Sequence, residues 1–340
     1  MKLKELAAQL GLSITTVSRA LNGYPDVAPA TRERVQAAAS RSGYAPNVSA
    51  QRLITGRAQA VGFVLPLPAG RFADPFLFEM MIGLGEVLRT RSLDLVVSAA
   101  EPGDDEVVTY RRLVRGRRVD GLVIARTRVD DRRIGFLRES GIAFVTHGLW
   151  AGPGGFDSLE CDNLLGGRLV GELLVRLGHR NLLLINAPHV FNFALEREAG
   201  FREAVAGTAG VTLEALEADE AVEEEGERLM RVALARDPAP SAVFCATDRL
   251  AIGAMSAARD AGRRVGADLS VVGYDDLPFS RFADPPLTTV RQPIREAGRR
   301  LAEILLDRVA DPDRPSVAEL WRPELVLRAS HATAGTGAFA

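Results

Sequence analysis

Seven short apolar runs recur between residues 61 and 273, and stretches of helical periodicity follow them. The runs cover 61–65, 93–97, 121–125, 143–146, 182–185, 242–245 and 270–273; helical stretches include 74–91, 164–177 and 248–261. Runs this short, separated by helices, predict parallel sheets covered on both faces. A break at 151–155, Ala-Gly-Pro-Gly-Gly, divides the series into two α/β halves. Segments 288–292 and 320–327 offer further strands or crossings. At 340 residues the chain has room for two or three domains. Its 47% hydrophobic and 25% charged residues exclude disordered and fibrous classes. No apolar run approaches the ~18 residues of a membrane span. Glu5 and Gln9 interrupt the N-terminus where a signal peptide needs unbroken apolar sequence. Cys161 and Cys245 form no motif and are too few for a disulfide framework. The expectation is a cytoplasmic, soluble, multi-domain protein.

Charge separates the first 60 residues from the rest. Eight basic residues against Glu5, Asp26 and Glu33 give that segment +5, so a chain of net −2 carries −7 over its remaining 280 residues. Such a basic head suits a polyanion that the acidic body would repel. Leu3, Leu6, Ala7 and Leu10 fall at helical spacing up to Gly11. Ser13 caps a second helix over 14–22, and a third follows Pro29 with Val35, Ala38 and Ala39 inward. The Gly11-Leu12-Ser13 turn makes the first pair a helix-turn-helix. In that motif the second helix enters the major groove with its N-terminal residues on base edges. Ile14 can touch thymine methyls, Thr15 can donate or accept, and Arg19 suits guanine O6 and N7. Thr16, Ser18 and Asn22 are placed for phosphates. A helical hairpin that merely packs on another domain is the alternative. The polar exposed face, tight turn and positive charge favour double-stranded DNA.

These residues resemble the LacI/GalR family of bacterial transcription regulators. The resemblance is carried by Lys4-Glu-Leu-Ala-Ala-Gln-Leu-Gly-Leu-Ser13, Thr16-Val-Ser-Arg-Ala-Leu-Asn-Gly23, Thr31-Arg-Glu-Arg-Val35 and Gly43-Tyr-Ala-Pro-Asn47, and it continues to about residue 330. It implies a hinge helix from Asn47 to about Thr55 that orders on operator DNA when two subunits pair. Leu53 falls where the family inserts a leucine into the minor groove. A helix of about nine residues is unstable alone in water, so folding coupled to DNA is physically reasonable. Without the resemblance, a flexible linker is an equal reading of the same segment. The implied architecture is an N-terminal all-α helix-turn-helix head plus an α/β two-lobed periplasmic-binding-protein-like body with parallel sheets. The divisions are 1–45 for the head, 46–58 for the hinge, 59–330 for the effector-binding and dimerisation body, and 331–340 for a flexible tail.

In open parallel sheets, ligands lie beyond the carboxyl ends of the strands. Those ends supply Phe72, Asp74, Phe76 and Phe78, then Ala125, Arg126 and Thr127, then His147. The second half supplies Phe191, Asn192, Phe193 and Arg197, then Thr247 and Asp248, then Tyr274, Asp275 and Asp276, with Gln292 after the late strand. Arg197 with Asp248 and Asp275 gives a fork of donors and fixed acceptors, suited to a polyhydroxylated ligand. Phenylalanine faces could stack on a sugar ring. Equally, Asp248 and Asp276 could be helix N-caps and several phenylalanines core. The resemblance implies effector contacts for Arg197, three residues before Gly200-Phe201, and for Asp275 in Tyr-Asp-Asp. His147 stands where relatives often carry aspartate.

Nucleotide-binding glycine motifs and a Gly-x-Ser-x-Gly elbow are absent. The histidines at 147, 179, 189 and 331 are scattered, with no metal-ligand spacing. Neither an enzyme nor a metal or other cofactor is expected. The reading is a homodimeric repressor on a pseudo-palindromic operator, controlled by a sugar of α-glucoside type bound between the lobes. A purine-type co-repressor, or a sugar receptor without a DNA role, are the alternatives.

Overall fold

The structure is a computed structural model. It describes residues 2–21, 24–44, 56–66, 74–100, 106–150, 152 and 155–335. Asn22, Asn47, Leu53 and Phe72 lie outside the described residues. The chain divides into two compact units, Met1–Gln59 and Ala60–Ala340.

The first unit contains α1 (Leu3–Leu10), α2 (Ile14–Leu21) and α3 (Pro29–Arg41). Glu5 accepts the Lys2 N–H at the start of α1, and Gly11 ends it at φ 64°, a left-handed turn natural to glycine. The Ser13 hydroxyl accepts the Thr16 N–H at 3.0 Å, capping α2. Pro29, which has no N–H to waste, opens α3. Leu6, Val17, Ala20, Val27 and Val35 are buried, whereas Leu10 and Leu21 only flank this small core.

The second unit contains two sheets, each of six strands. Lobe 1 holds β1 (Ala60–Pro66), β2 (Asp94–Ala100), β3 (Gly121–Ala125), β4 (Ala143–His147), β5 (Asp157–Cys161) and β11 (Ala318–Trp321), in the order β11-β5-β4-β3-β1-β2, all parallel. Lobe 2 holds β6 (Asn181–Asn186), β7 (Thr212–Glu217), β8 (Ala242–Cys245), β9 (Ser270–Asp275), β10 (Thr288–Arg291) and β12 (Glu324–Val326), in the order β12-β10-β9-β8-β6-β7. Among the described strands of lobe 2, the β10/β12 pair is antiparallel and the other pairs are parallel. Successive side chains of a strand serve opposite cores. In lobe 1, Phe63 packs under α4 (Pro75–Thr90) and α11 (Ile294–Ala310), while Val64 packs under α5 (Glu106–Arg115) and α6 (Arg132–Ser140). In lobe 2 the sheet is covered by α7 (Asn163–Arg176) and α8 (Asn192–Val205) on one face, and by α9 (Glu223–Leu234) and α10 (Asp248–Asp260) on the other.

The boundary between lobes falls after β5, at Asp162, and not at the glycine-rich break at 151–155. The break precedes a strand that belongs to lobe 1. Sequence reading overlooked β5 because Asp-Ser-Leu-Glu-Cys carries two carboxylates, yet all five residues are buried. Arg308 and Arg314 neutralise Asp157, and Glu160 is hydrogen-bonded. The chain crosses between lobes again after β10 and between β11 and β12. Residues 331–335 are bonded to lobe 2, where 331–340 was expected to be a flexible tail. His331 Nδ1 meets Thr288 Oγ1 at 2.7 Å, Ala332 N–H donates to Ser270 Oγ, and Ala334 N–H donates to the Leu177 carbonyl. His179, just past the end of α7, is buried against the Ser241 and Ser270 hydroxyls.

Candidate functional site

Both sheets deliver their strand ends to one cleft, as the strand-end rule requires. From lobe 1 come Phe76, Arg126, Thr127, His147, Gly148 and Glu160; from lobe 2 come Asn163, Phe193, Arg197, Thr247, Asp275 and Gln292. The space open to the centre of a water-sized sphere is about 30 Å³. That holds roughly two waters. A sugar ring therefore cannot enter without movement of the lobes or side chains.

Arg197 dominates the lobe 2 wall. It is buried, with its guanidinium 3.5 Å from the Tyr274 ring centroid and 4.6 Å from that of Phe193. Its Nε donates to Asn163 Oδ1 at 2.9 Å, and Nη1 donates to the Ala246 carbonyl and to Asp275 Oδ1. Three of five N–H groups are thus occupied. Among the described residues, the two on Nη2 have no acceptor. Gln292 Nε2 donates to Asp275 Oδ1 at 2.6 Å. Burial pushes the Asp275 carboxyl up, and Arg197 pulls it back. The position of Arg197 follows from helix packing. A Cβ on Gly200 would stand 1.9 Å from the Leu164 carbonyl oxygen, and one on Gly167 2.0 Å from that of Arg197. Only glycines allow α7 and α8 this close, which sets Asn163 beside Arg197.

The lobe 1 wall has a different character. Burial and the neighbouring Arg197 push His147 down to about 4, leaving it neutral near pH 7 with its ring 5.5 Å from Phe76. Burial and the charge of Glu196 push Glu160 up to about 8, so it too is uncharged near pH 7. Glu160 accepts from Leu149 N–H and Asn163 Nδ2, each at 2.5 Å. Arg126 is paired with Asp74 and faces the Phe76 ring. Asn192 ties lobe 2 to lobe 1. Its Nδ2 donates to the Leu149 and Arg128 carbonyls, and its N–H to the Thr127 carbonyl, while Val129 N–H donates to Val190.

Three expected effector residues are not on the cleft wall. Asp74 is the N-cap of α4, accepting the Phe76 N–H at 3.0 Å. Phe78 follows one turn into that helix and is exposed to solvent. Asp248 is fully buried and accepts from Leu277 N–H, Ser280 Oγ and Thr289 Oγ1. It joins β10 and the 277–280 turn to α10, whose N-cap is Thr247. Conversely, Gly148, Glu160 and Asn163 were not anticipated. The Asp162-Asn163 pair at a helix start was the available signal, with the Asp162 side chain accepting the Leu165 N–H.

In the first unit, Ile14 and Thr15 are exposed at the start of α2, and Thr16 bonds Ser13 through both N–H and hydroxyl. Ser18 is half-buried. Arg19 is exposed, pairs with Asp26 at 2.7 Å and lies over Tyr24. An exposed pair of this kind is worth only about 0–1 kcal/mol, so exchanging it for a base edge is inexpensive.

Residues 2–47 match the lacI family of bacterial regulatory proteins, and 172–331 match the periplasmic binding protein-like domain. The chain is 40% identical to the HTH-type transcriptional regulator AglR of Rhizobium meliloti over 336 residues, covering 97% of this chain and 94% of that protein. The chain belongs to the LacI family. It is a DNA-binding transcriptional regulator. A solved complex of the regulator CelR with cellobiose is 32% identical over 97% of this chain and 99% of that one, with TM-score 0.74. The lac repressor dimer bound to operator and the anti-inducer ONPF is 28% identical over 98% and 99%, with TM-score 0.84.

Proposed function

We propose that this LacI-family regulator is a cytoplasmic repressor that grips a pseudo-palindromic operator as a homodimer and is controlled by a carbohydrate in the interlobe cleft. The observation that carries the reading is Arg197, held between Phe193 and Tyr274 with its Nη2 N–H groups left over. Those groups, with Asp275 and Gln292, match the hydroxyls of a sugar, and Phe76 and Phe193 offer apolar faces for its ring. The cellobiose complex of CelR supports the same ligand class. In the head, Ile14, Thr15 and Arg19 read bases while Thr16, Ser18 and Asn22 hold phosphates; Asn47 and Leu53 act in the hinge. Opening to admit a ligand changes the relation of the lobes. It controls DNA affinity only insofar as the ligand binds the two conformations unequally.

The test is selection from a random duplex library near physiological salt, followed by titration of the selected duplex with α- and β-linked glucosides. The expected result is an enriched palindrome whose binding is released by one glucoside class. No enriched sequence with or without cell extract would overturn the regulator reading. Enrichment with no response to any saccharide would overturn the carbohydrate assignment alone.

A further inference from the structure

The body is acidic overall, yet one edge of lobe 1 collects exposed arginines. The chain enters this lobe at Ala60, the first residue of β1. In the parallel sheet, Ala60 lies beside Asp94 of β2, and Val61 beside Gly121 of β3. The turns leading into those two neighbouring strands therefore flank the point of arrival on both sides, about 5 Å per strand away. The turn before β2 carries Arg91, and the end of α5 with the turn that follows it into β3 carries Arg115, Arg117 and Arg118, all exposed. None of these four has a carboxylate partner among the described residues. The adjacent acids are Asp94 and Asp120, and Asp120 already accepts the Ala60 N–H.

Two observations argue against an idle surface. The corresponding turns of lobe 2 also carry arginines, but those are tied down. Arg236 pairs with Glu214, Arg264 pairs with Asp268, and Arg263 bonds the Asp268 carbonyl. Moreover, Arg117 occupies a left-handed backbone position at φ 45°, where a bulky residue is an outlier and glycine would be unstrained. Attraction to a helix C-terminus accounts for Arg115, the last residue of α5, and for Arg91, the C-cap of α4, but not for Arg117 or Arg118, which lie beyond the end of α5.

We infer that Arg91, Arg115, Arg117 and Arg118 form a second, sequence-independent DNA contact, in which the body binds backbone phosphates while the head reads the operator. The covalent connection supplies the affinity. Residues 45–59 join this edge to the DNA-reading head, so DNA held by the head is presented to the arginines at high effective concentration, and weak phosphate contacts then count. The inference goes beyond the proposed sugar-controlled reading and does not depend on any effector.

The experiment measures DNA binding by the full chain from 50 to 200 mM salt, on the selected operator and on a random duplex. It compares the wild type with the R115Q/R117Q/R118Q variant and its R115K/R117K/R118K counterpart. Each phosphate contact contributes about 0.9 to the slope of log K against log salt, so three lost contacts per subunit, six in the dimer, shrink the wild-type advantage by about 2,000-fold across this range. The same change is expected on both duplexes, because phosphates carry no sequence information. The lysine variant restores the slope. An unchanged slope in the glutamine variant would overturn the inference, as would weaker binding at an unchanged slope, or a loss that lysine does not rescue. The last two outcomes would mean that the arginines act within the protein.

Discussion

The two walls of the cleft come from sheets of similar build, but they meet a ligand in opposite electrical states. Lobe 2 presents a fixed ion network in which Arg197 is stacked, bonded to Asn163 and to the Ala246 carbonyl, and paired with Asp275. Lobe 1 presents His147 and Glu160, both neutral near pH 7, beside the Arg126–Asp74 pair. A buried ion survives only where partners compensate its lost hydration. Lobe 2 supplies those partners from α7, α8 and the ends of β8, β9 and β10. Lobe 1 instead meets the problem by shedding charge. The difference teaches that orientation of a polar ligand belongs to lobe 2, while lobe 1 provides a wall that can close over it at little electrostatic cost.

The largest test removes the lobe 2 anchor. Arg197→Ala leaves Asp275 buried with Gln292 as its remaining side-chain donor, and the expected loss is about 3–5 kcal/mol of stability by urea unfolding. Arg197→Lys, which keeps the charge but not the fork, should fold and still lose the ligand response. An Arg197→Ala protein with wild-type stability and ligand titration would break the comparison. A smaller effect is expected at Asp248, which faces three donors within lobe 2. Asp248→Asn turns an amide toward one of them and should cost about 1–3 kcal/mol while sparing DNA binding.

The lobe 1 wall is tested by pH, with the smallest change at neutrality. Glu160 is raised from 4.5 to about 8, so the folded state holds a proton that the unfolded state has lost; its contribution is full below 4.5 and falls as pH rises to 8. His147 is lowered from 6.5 to about 4, so its contribution is full above 6.5 and falls as pH drops through 4. Of these two, Glu160 and His147 oppose each other between 4.5 and 6.5, and from 6.5 to 8 only Glu160 changes, while buried Asp248 of lobe 2, raised to about 7, adds its own decline up to that pH. Glu160→Gln should therefore remove a decline of up to about 1.4 kcal/mol per pH unit between 6.5 and 8. His147→Asn should uncover the cancelled decline between 4.5 and 6.5. Parallel stability profiles for wild type and both variants would show that lobe 1 carries ordinary charges.

The same contrast explains what the sequence made legible. The lobe 2 residues Phe193, Arg197, Asp275 and Gln292 follow apolar runs or helix starts that stand out, and the strand-end rule reaches them. Lobe 1 is harder to read. Its decisive carboxylate, Glu160, lies in a strand whose alternation is broken by acids that become acceptable only through Arg308, Arg314, Leu149 and Asn163, partners distant in sequence or across a turn. The rule also reached too far at Asp74, Phe78 and Asp248, because a strand end is followed by a helix start and a carboxylate there can cap or brace rather than face the cleft. The head was legible almost throughout, since Ser13, Gly11 and Pro29 act on their immediate neighbours. Its Arg19–Asp26 pair was not, because nothing at that spacing distinguishes an ion pair from a free base-reading arginine.

A cleft with room for about two waters also sets the tempo of the response. Opening the lobes must break the hydrogen bonds by which Asn192 holds the Leu149 and Arg128 carbonyls of lobe 1. Association is then gated: its rate follows the fraction of time those bonds are broken, and apparent affinity is reduced by that same fraction. Loosening Asn192 would speed opening without altering any residue that lines the cleft.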